Sequence, residues 1–328
     1  MKRFIKKLIP LIILVLIVMG IALTANRNII EDNLTHFEIE YGKYKPKLML
    51  VEDSKNGNKM YLFGSIHIGV EEMYPLPQEV LDAFNSSDVL AVETDIIELE
   101  KDYMLAVEML DVLTYKDGTT LKDHISKEDL ESFKSIAEKY GVLVDENSMY
   151  KPVFYSMVIQ ELMIEDTKYS TDYGVDRHLL TQAKEKGMKI IEVEDAIDTY
   201  KILGDLSEKT QRYLVYDTIM ALSENESETF EELEILYKSW VNGTIEEYLA
   251  EYEQMEDYVK KAGYEENYYE YYKALGETRD NQMVKKAIEY LDSKDKYFFV
   301  VGAMHIESET GIIKQLKEKG YKVEMVIY

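Results

Sequence analysis

Two segments far apart in the chain end in the same pattern, a glycine followed by two residues and then a histidine. They are Tyr61–Gly69 and Tyr297–Ile306, and their histidines are His67 and His305. The apolar run before each glycine is typical of a strand buried on both faces, and the glycine should permit a backbone turn that other residues resist. Ligand groups in open α/β sheets collect at the carboxyl ends of such strands. We therefore expect two distant strands to deliver one imidazole each to a single site.

Carboxylates occupy similar positions in two further segments that we predict to be short strands. Glu93 ends one of these segments, and Glu194 follows the other. Two imidazoles with one or two carboxylates form a workable ligand set for divalent zinc, manganese, cobalt or iron. Such a metal lowers the pKa of a bound water and polarises a carbonyl group. We expect His67, His305 and Glu93 to be the metal ligands, and Glu194 to be a further ligand or a general base.

Each of these residues also has an interpretation without chemistry. A histidine in such a turn is usually only a hydrogen-bonding residue, so the pair could simply cap two strands. Glu93 or Glu194 could equally be a helix N-cap or an ion-pair partner. The other three histidines show no comparable pattern: His36 lies in a polar segment, and His124 and His178 have polar helical surroundings, where we expect solvated surface.

Composition narrows the function classes. The chain of 328 residues has 38 basic and 63 acidic residues, a formal net charge of −25. This charge argues against a nucleic-acid partner, because phosphate binding needs clustered Lys and Arg. The absence of cysteine excludes disulfides, zinc thiolate sites and cysteine nucleophiles. The sequence also contains no Gly-x-Ser-x-Gly elbow, Walker loop, Gly-x-Gly-x-x-Gly or His-Glu-x-x-His motif, which removes the commoner hydrolase, kinase and dinucleotide-binding readings.

The elements that must position these residues can be predicted in order. Lys47–Glu52 and Lys59–Phe63 flank an Asn-Gly pair and predict a hairpin. Other segments have the short apolar runs of strands or the helical period, and most of the helices carry a proline at the start or a glycine at the end. We predict strands at Asp88–Glu93, Met188–Val193, Tyr297–Val301 and Lys322–Ile327, and helices at Pro75–Asn85, Asp172–Lys186 and Thr310–Lys319.

These elements predict an α/β or α+β fold, with a central, mostly buried sheet flanked by helices. A large helical insertion, at about residues 96–290, separates the strands and should wall the site. We expect one catalytic domain over residues 47–328, preceded by a polar linker at 27–46.

The first 26 residues predict a targeting or anchoring segment. Basic residues precede the apolar run Leu8–Ala25, which is about long enough to span a bilayer as a transmembrane helix. The positive charges favour an orientation with the N-terminus inside and the domain outside the cytoplasm. We expect a single-pass anchor in the cell membrane. A cleaved signal peptide, which would make the protein secreted, is the alternative, although Ala22–Asn26 gives a poor cleavage site.

Several short motifs follow one another in a characteristic order along the chain. They are Leu62–His67, Ser87–Glu93, Gly174–Ala183 with Lys189–Glu194, Thr278–Met283, Val301–His305 and Gly311–Val323. In this order they resemble the TraB/PrgY/GumN family, which includes the Tiki metalloproteases. The resemblance covers about residues 47–328. One departure is that Ile306-Glu307-Ser308 follows the last histidine, where the family often has Leu or Val and then Gly.

The resemblance implies a metal-dependent hydrolase, a peptidase, with a fold related to the erythromycin-esterase and ChaN-like proteins. It implies that His67 and His305 bind the metal and that Glu93 is a ligand or general base. It also implies that Arg279 stabilises developing negative charge or anchors a substrate carboxylate, which suits its planar fork of donors.

Two functions of different kinds remain open. The first is a membrane-anchored, extracytoplasmic hydrolase that uses zinc, manganese or cobalt to cleave peptides or membrane-proximal protein segments. The second is a non-catalytic protein of the same fold that sequesters a peptide or haem, because two imidazoles can also ligate haem iron and a fold does not fix a function.

Overall fold

The computed structural model describes residues 44–165, 167–223, 226–245, 248–249 and 259–328. The predicted membrane anchor at residues 1–26, His36 and most of the predicted linker lie outside these residues. Within the part of the chain that is described, no helix is long and apolar enough to cross a membrane.

A six-stranded mixed sheet forms the centre of the described structure. Its strands are β1 Leu48–Glu52, β2 Lys59–Ser65, β3 Val89–Val92, β4 Lys189–Glu192, β5 Tyr297–Gly302 and β6 Lys322–Met325. Their order across the sheet is β4-β3-β5-β2-β1-β6. The pairs β4–β3, β3–β5 and β5–β2 are parallel, whereas β1 runs antiparallel to both β2 and β6. The carboxyl ends of four neighbouring strands therefore lie at one edge of the sheet.

The strands form where the sequence predicts them. The Asn-Gly hairpin is confirmed as β1 and β2, with Leu48 opposite Phe63. Every residue of β5 is buried, because β5 is an inner strand between β2 and β3 and is covered on both faces. In β4, by contrast, Lys189 and Glu192 are exposed, as an edge strand allows.

Helices surround the sheet and fill the long segments between its strands. They are α1 Gln78–Asn85, α2 Ile96–Leu99, α3 Tyr103–Val112, α4 Leu121–His124, α5 Lys127–Lys139, α6 Pro152–Glu165, α7 Val175–Lys186, α8 Ala196–Gly204, α9 Glu208–Ser223, α10 Glu226–Asn242, α11 Glu265–Leu275, α12 Glu277–Asp292, α13 Ala303–Glu307 and α14 Ile312–Glu318. The predicted helical insertion is thus present, and β4 is the strand within it that joins the sheet.

The core divides along the two faces of the sheet. Phe298 and Val300 of β5 pack on the face covered by α1 and α7, and Phe299 and Val301 pack on the face covered by α12 and α14. This alternation follows from the two-residue period of a strand. Fully burying a side chain of this kind contributes roughly 1.5–3 kcal/mol, so both faces hold the strand ends firmly in place. Two further apolar clusters lie among α2–α6, α8, α9 and α11.

Candidate functional site

Each of the four parallel strands leads into a segment that carries one residue of a buried polar cluster. His67 lies two residues beyond β2, Glu93 directly follows β3, and Glu194 lies two residues beyond β4. His305 lies on α13, which begins where β5 ends. The parallel register sets Ser65 opposite Gly302 at the ends of β2 and β5. The sheet therefore brings together the four residues that the sequence singled out.

Arg279 of α12 lies at the centre of the acidic side of this cluster. It is 3% exposed. Its Nη2 donates to Glu93 Oε2 at 2.6 Å and to Glu194 Oε2 at 2.6 Å, and its Nε donates to Glu194 Oε1 at 2.9 Å. Burial acts to lower the pKa of Arg279, but the two carboxylates raise it above its ordinary value. The guanidinium therefore stays charged and holds both glutamates in fixed positions.

Glu93 is ionised and fully engaged. Its Oε1 accepts a hydrogen bond from the backbone N–H of Gly302 at 2.6 Å. Burial acts to raise its pKa, but Arg279, both site histidines and this N–H lower the pKa to about 2. An efficient general base has a pKa near the working pH. Glu93 is therefore better suited to hold a cation or to orient its neighbours than to accept a proton.

A carboxylate lies behind His67. His67 Nδ1 is 2.6 Å from Asp176 Oδ2, and Asp176 is 6% exposed near the start of α7. Ser65 Oγ donates to the other oxygen, Asp176 Oδ1, at 2.8 Å. Burial acts to lower the pKa of His67, but Asp176, followed by Glu93, raises the pKa above its ordinary value.

The same arrangement is found at His305. Its Nδ1 is 2.6 Å from Asp280 Oδ1, and Asp280 is fully buried on α12, directly after Arg279. Thr310 Oγ1 and Ser308 Oγ donate to Asp280 Oδ2 at 2.5 and 3.2 Å. With Nδ1 engaged by a carboxylate in both histidines, Nε2 is the nitrogen left for a ligand.

The two imidazoles and Glu93 converge on Gly302. A Cβ atom added to Gly302 would lie 3.3 Å from His67 Nε2, 3.5 Å from Glu93 Oε1 and 3.7 Å from His305 Cδ2. The φ of Gly302 is −51°, which any residue can adopt. Our expectation that the glycine of each pattern permits an unusual backbone turn is therefore wrong, because Gly64 has no positive φ either. At Gly302, the absence of a side chain leaves open the space between the three functional groups.

The cluster opens into a cavity of about 160 Å³. The site end is lined by His67, Arg279, Asp280, Gly302 and His305, and the opposite wall comes from α6, α9, α10 and α11. The helical insertion thus walls the site, as expected from the sequence. Much of this wall is apolar or aromatic, including several of the tyrosines in which the chain is rich.

The nitrogen and oxygen atoms of the cluster meet some, but not all, of the requirements of a divalent-cation site. Among the residues that the structure describes, no three or more His, Asp or Glu side chains form a ready metal-binding group. Each histidine nevertheless has the carboxylate on Nδ1 that usually orients a metal-binding imidazole. The cluster contains four carboxylates (Glu93, Glu194, Asp176 and Asp280) and one guanidinium, which gives a formal charge of −3 when both imidazoles are neutral. A divalent cation between the imidazoles would offset most of this buried charge.

Two histidines outside the site differ from expectation. We predicted solvated surface for His124 and His178, and this prediction is wrong. His178 stacks on Tyr74 with ring centroids 3.9 Å apart, and burial lowers its pKa to about 4. His124 stacks on Tyr115, also at 3.9 Å. Both are explained by packing.

Sequence reasoning missed two functional side chains, Asp176 and Asp280. Both fall inside segments that carry the family resemblance, but neither follows a strand, which was the signal used to select candidates. They could have been sought because a metal-binding histidine usually donates its other ring N–H to a carboxylate. This rule predicts an acidic residue next to each histidine, on a neighbouring element.

The fold and the site together define a class: mixed α/β proteins whose parallel strands end in a paired-histidine, glutamate–arginine cluster beneath a helical wall. The chain belongs to the TraB/PrgY/gumN family, whose sequence model matches residues 49–325. The resemblance inferred from the ordered motifs is thereby confirmed.

The curated relatives cover only part of the chain. The chain is 29% identical to the uncharacterized protein YbaP of Escherichia coli (strain K12) over 156 residues. These residues are 47% of this chain and 55% of YbaP. The match to YbaP of Shigella flexneri has the same extent and identity. The chain thus spans about half the length of these relatives. No solved structure matches it significantly.

Proposed function

We propose that the protein is a metal-dependent hydrolase that cleaves peptide bonds in peptides or in membrane-proximal protein segments. The observation that carries the proposal is the pair of imidazoles, each with Nδ1 2.6 Å from a buried carboxylate, beside a buried arginine. This is the arrangement in which a protein holds metal-binding histidines.

Each residue of the site has a role in this proposal. His67 and His305 hold a zinc, manganese or cobalt ion through Nε2, and Glu93 completes the set while keeping its bonds to Arg279 and Gly302. When bound, the metal supplies an activated water and polarises the substrate carbonyl. Asp176 and Asp280 fix the tautomer and the orientation of the imidazoles.

Arg279 is the group in the site best placed to stabilise negative charge on the substrate. Its Nε and Nη2 bind the two glutamates, and within the described residues its Nη1 donates no hydrogen bond. Arg279 also lines the cavity. A guanidinium that is buried, permanently charged and already oriented needs little reorganisation when an oxyanion forms. Glu194 keeps it in place, so we propose a positioning role for Glu194 rather than that of a general base.

The proposal includes a location. The basic residues followed by the apolar run Leu8–Ala25 support a single membrane anchor with the catalytic domain outside the cytoplasm. A reporter fused to the C-terminus, active only outside the cytoplasm, would test this. Reporter activity on the cytoplasmic side would contradict it.

The decisive experiment measures metal content and peptide cleavage on the same full-length samples. We expect about one divalent ion per wild-type chain, and loss of both metal and cleavage in His67→Ala and His305→Ala. The matched control is His178→Ala, which removes a half-buried histidine outside the site and should keep both properties. Cleavage retained by the two site variants, or no metal in the wild type after supplementation with zinc, manganese and cobalt, would overturn the proposal. A visible haem band would favour sequestration.

A further inference from the structure

The helical wall of the cavity contains one carboxylate that the proposed reaction does not use. Asp217 lies on α9 and lines the same cavity as His67 and His305. The hydroxyl of Tyr213, one turn earlier on α9, donates to Asp217 Oδ1 at 3.2 Å. In the described part of the chain, this is the one hydrogen bond of the Asp217 carboxylate, and no Lys, Arg or His forms an ion pair with Asp217. Asp217 therefore lines the cavity without a protein counter-ion there.

The surroundings of Asp217 are apolar and aromatic. The helical wall of the cavity that contains Asp217 also includes Val153, Met157, Leu214, Tyr268, Tyr271 and Leu275. Burial, and then the charge of Asp217, raise the pKa of Tyr271 above its ordinary value. Burial also raises the pKa of Asp217 itself to about 6, against the opposing effect of the Tyr213 hydroxyl. At neutral pH, Asp217 is thus ionised in most molecules, and its negative charge has no counter-ion in a largely apolar cavity. Such an arrangement lowers the stability of the folded state.

A cation on an apolar stem would complement such a wall. The charge would pair with the carboxylate, and the stem and the cation would lie among aromatic rings, which also attract cations. With Oδ1 already bound to Tyr213, a single oxygen remains. This favours a compact ammonium over a guanidinium, which binds best to both oxygens of a free carboxylate. The strongly acidic chain, with its net charge of −25, would also attract a cationic ligand.

We infer that the cavity recognises substrates through an alkylammonium group, which pairs with Asp217 while its apolar stem lies against the tyrosines of α9 and α11. The inference rests on the proposed function, because it assigns the substrate class of the same cavity. The ammonium belongs either to a lysine side chain or to the free N-terminus of a peptide.

The first test compares n-hexylammonium with 1-hexanol, which has a similar stem and no charge. Binding to the full-length protein is measured by ligand-observed NMR titration. We expect the wild type to bind the ammonium at least about tenfold more tightly than the alcohol, because only the ammonium forms a charge-assisted hydrogen bond between two ionised groups. In Asp217→Asn this preference should fall to less than about threefold. Equal binding of both probes by the wild type, or an unchanged preference in Asp217→Asn, would overturn the inference.

One control variant and one alternative variant accompany Asp217→Asn. Asp198→Asn removes an exposed carboxylate on α8 that pairs with Lys201, and it should keep the wild-type preference. Gln160→Lys covers the case in which Asp217→Asn does not fold. Gln160 lies on the same wall, one turn beyond Ser156, whose Oγ accepts a hydrogen bond from Thr218 at 2.9 Å. The added ammonium should compete for Asp217 and abolish the preference; a preference that survives contradicts the inference.

Peptides then distinguish the two sources of the ammonium group. Acetylated peptides with one lysine are compared with acetylated norleucine peptides, and with norleucine peptides whose N-terminus is free. Binding is measured on the His67→Ala/His305→Ala double variant, so that turnover does not interfere. Tighter binding of the first or third set identifies the source, and equal binding of all three contradicts the inference. Cleavage without ammonium preference contradicts only this inference, whereas ammonium binding without cleavage by the wild type contradicts only the proposed hydrolase.

Discussion

Asp176 and Asp280 occupy equivalent places behind the two histidines, although they lie on different helices. Asp280 Oδ1 pairs with His305 Nδ1 in a hydrogen bond, and Asp176 Oδ2 lies 2.6 Å from His67 Nδ1. Each carboxylate also accepts a hydrogen bond from at least one hydroxyl group. A carboxylate in this position keeps the proton on Nδ1 and leaves Nε2 as the acceptor. The chemistry of the site therefore depends on two carboxylates that, in the proposed reaction, act through the histidines and not on the substrate.

Replacing one of these carboxylates should weaken metal binding without removing a ligand. We expect Asp280→Asn to lower the affinity for a divalent ion by about 10–100-fold, the usual effect of losing such a partner. Competition with a chelator measures the affinity, and Asp198→Asn serves as the control. An affinity equal to that of the wild type would mean that His305 is oriented by packing alone.

Gly302→Ala should damage the site more than the fold. Its backbone conformation suits alanine, but the new methyl group would lie 3.3 Å from His67 Nε2 and 3.5 Å from Glu93 Oε1. We expect peptide cleavage and metal affinity to fall at least tenfold, measured beside thermal unfolding.

Gly57→Ala is the contrasting control for this variant. Gly57 has φ +76° and no atom within 4 Å of an added Cβ, so alanine there should cost about 1 kcal/mol of stability and leave metal binding intact. The interpretation of Gly302 fails if both variants affect metal binding alike.

Asp217 should also affect the pH dependence of stability. In the folded protein its pKa is raised from 3.8 to about 6, so between these values the folded state binds more protons than the unfolded state, and stability falls as pH rises. The full loss, at most about 3 kcal/mol and less where cavity water reaches the carboxylate, is present above pH 6. Urea unfolding of Asp217→Asn should show a gain over wild type at pH 7 and almost none at pH 4.

The element that organises the site is the parallel half of the sheet, together with α12. Neighbouring residues on a helix point about 100° apart. Arg279 can therefore reach Glu93 and Glu194 while Asp280 reaches His305. One helix thereby connects the glutamate side of the cluster to the histidine side.

The start of α7 is held equally closely to the site. A Cβ on Gly174 would lie 2.4 Å from the carbonyl oxygen of His67, so Gly174→Ala must move α7 away from the loop that carries His67. We expect a loss of more than about 2 kcal/mol, in the range of overpacked sites, together with weaker metal binding. Gly187→Ala at the other end of α7, with φ +64° and free space, should cost only about 1 kcal/mol and spare the metal. Unfolding and chelator competition distinguish the two ends.

Strand ends were predictable because buried parallel strands are continuous apolar runs. The residues that follow each run can be read directly from the sequence. His67, Glu93, Glu194 and His305 were found in this way. The strand order was not predictable, because pairing between β2 and β5 joins segments more than two hundred residues apart. Asp176, Asp280 and Asp217 were missed for the same reason: a buried carboxylate is recognised by its partner, and the partner is chosen by tertiary packing.

On the scale of the whole molecule, the sheet edge supplies the reactive groups and the helical insertion supplies the wall opposite them. The two halves of the cavity differ in character. The sheet side holds a charged, hydrogen-bonded cluster, and the helical side holds aromatic and aliphatic residues around Asp217. In the proposed function, the chemistry depends on the strand ends together with α7, α12 and α13, and selectivity depends on α6, α9, α10 and α11. Variation in these last four helices should therefore change the substrate without altering the reaction.

The central place of β5 has a consequence for biosynthesis. β5 fills the position between β2 and β3 although it is the fifth strand to leave the ribosome. Until it does, β2 and β3 present open edges that invite pairing with other chains, and the site lacks His305, which lies just beyond β5 in the chain. Contacts of such long sequence separation also form slowly. A nascent or truncated chain that ends before Tyr297 therefore contains neither the finished sheet nor His305, so the two-histidine site is completed only when synthesis is nearly finished.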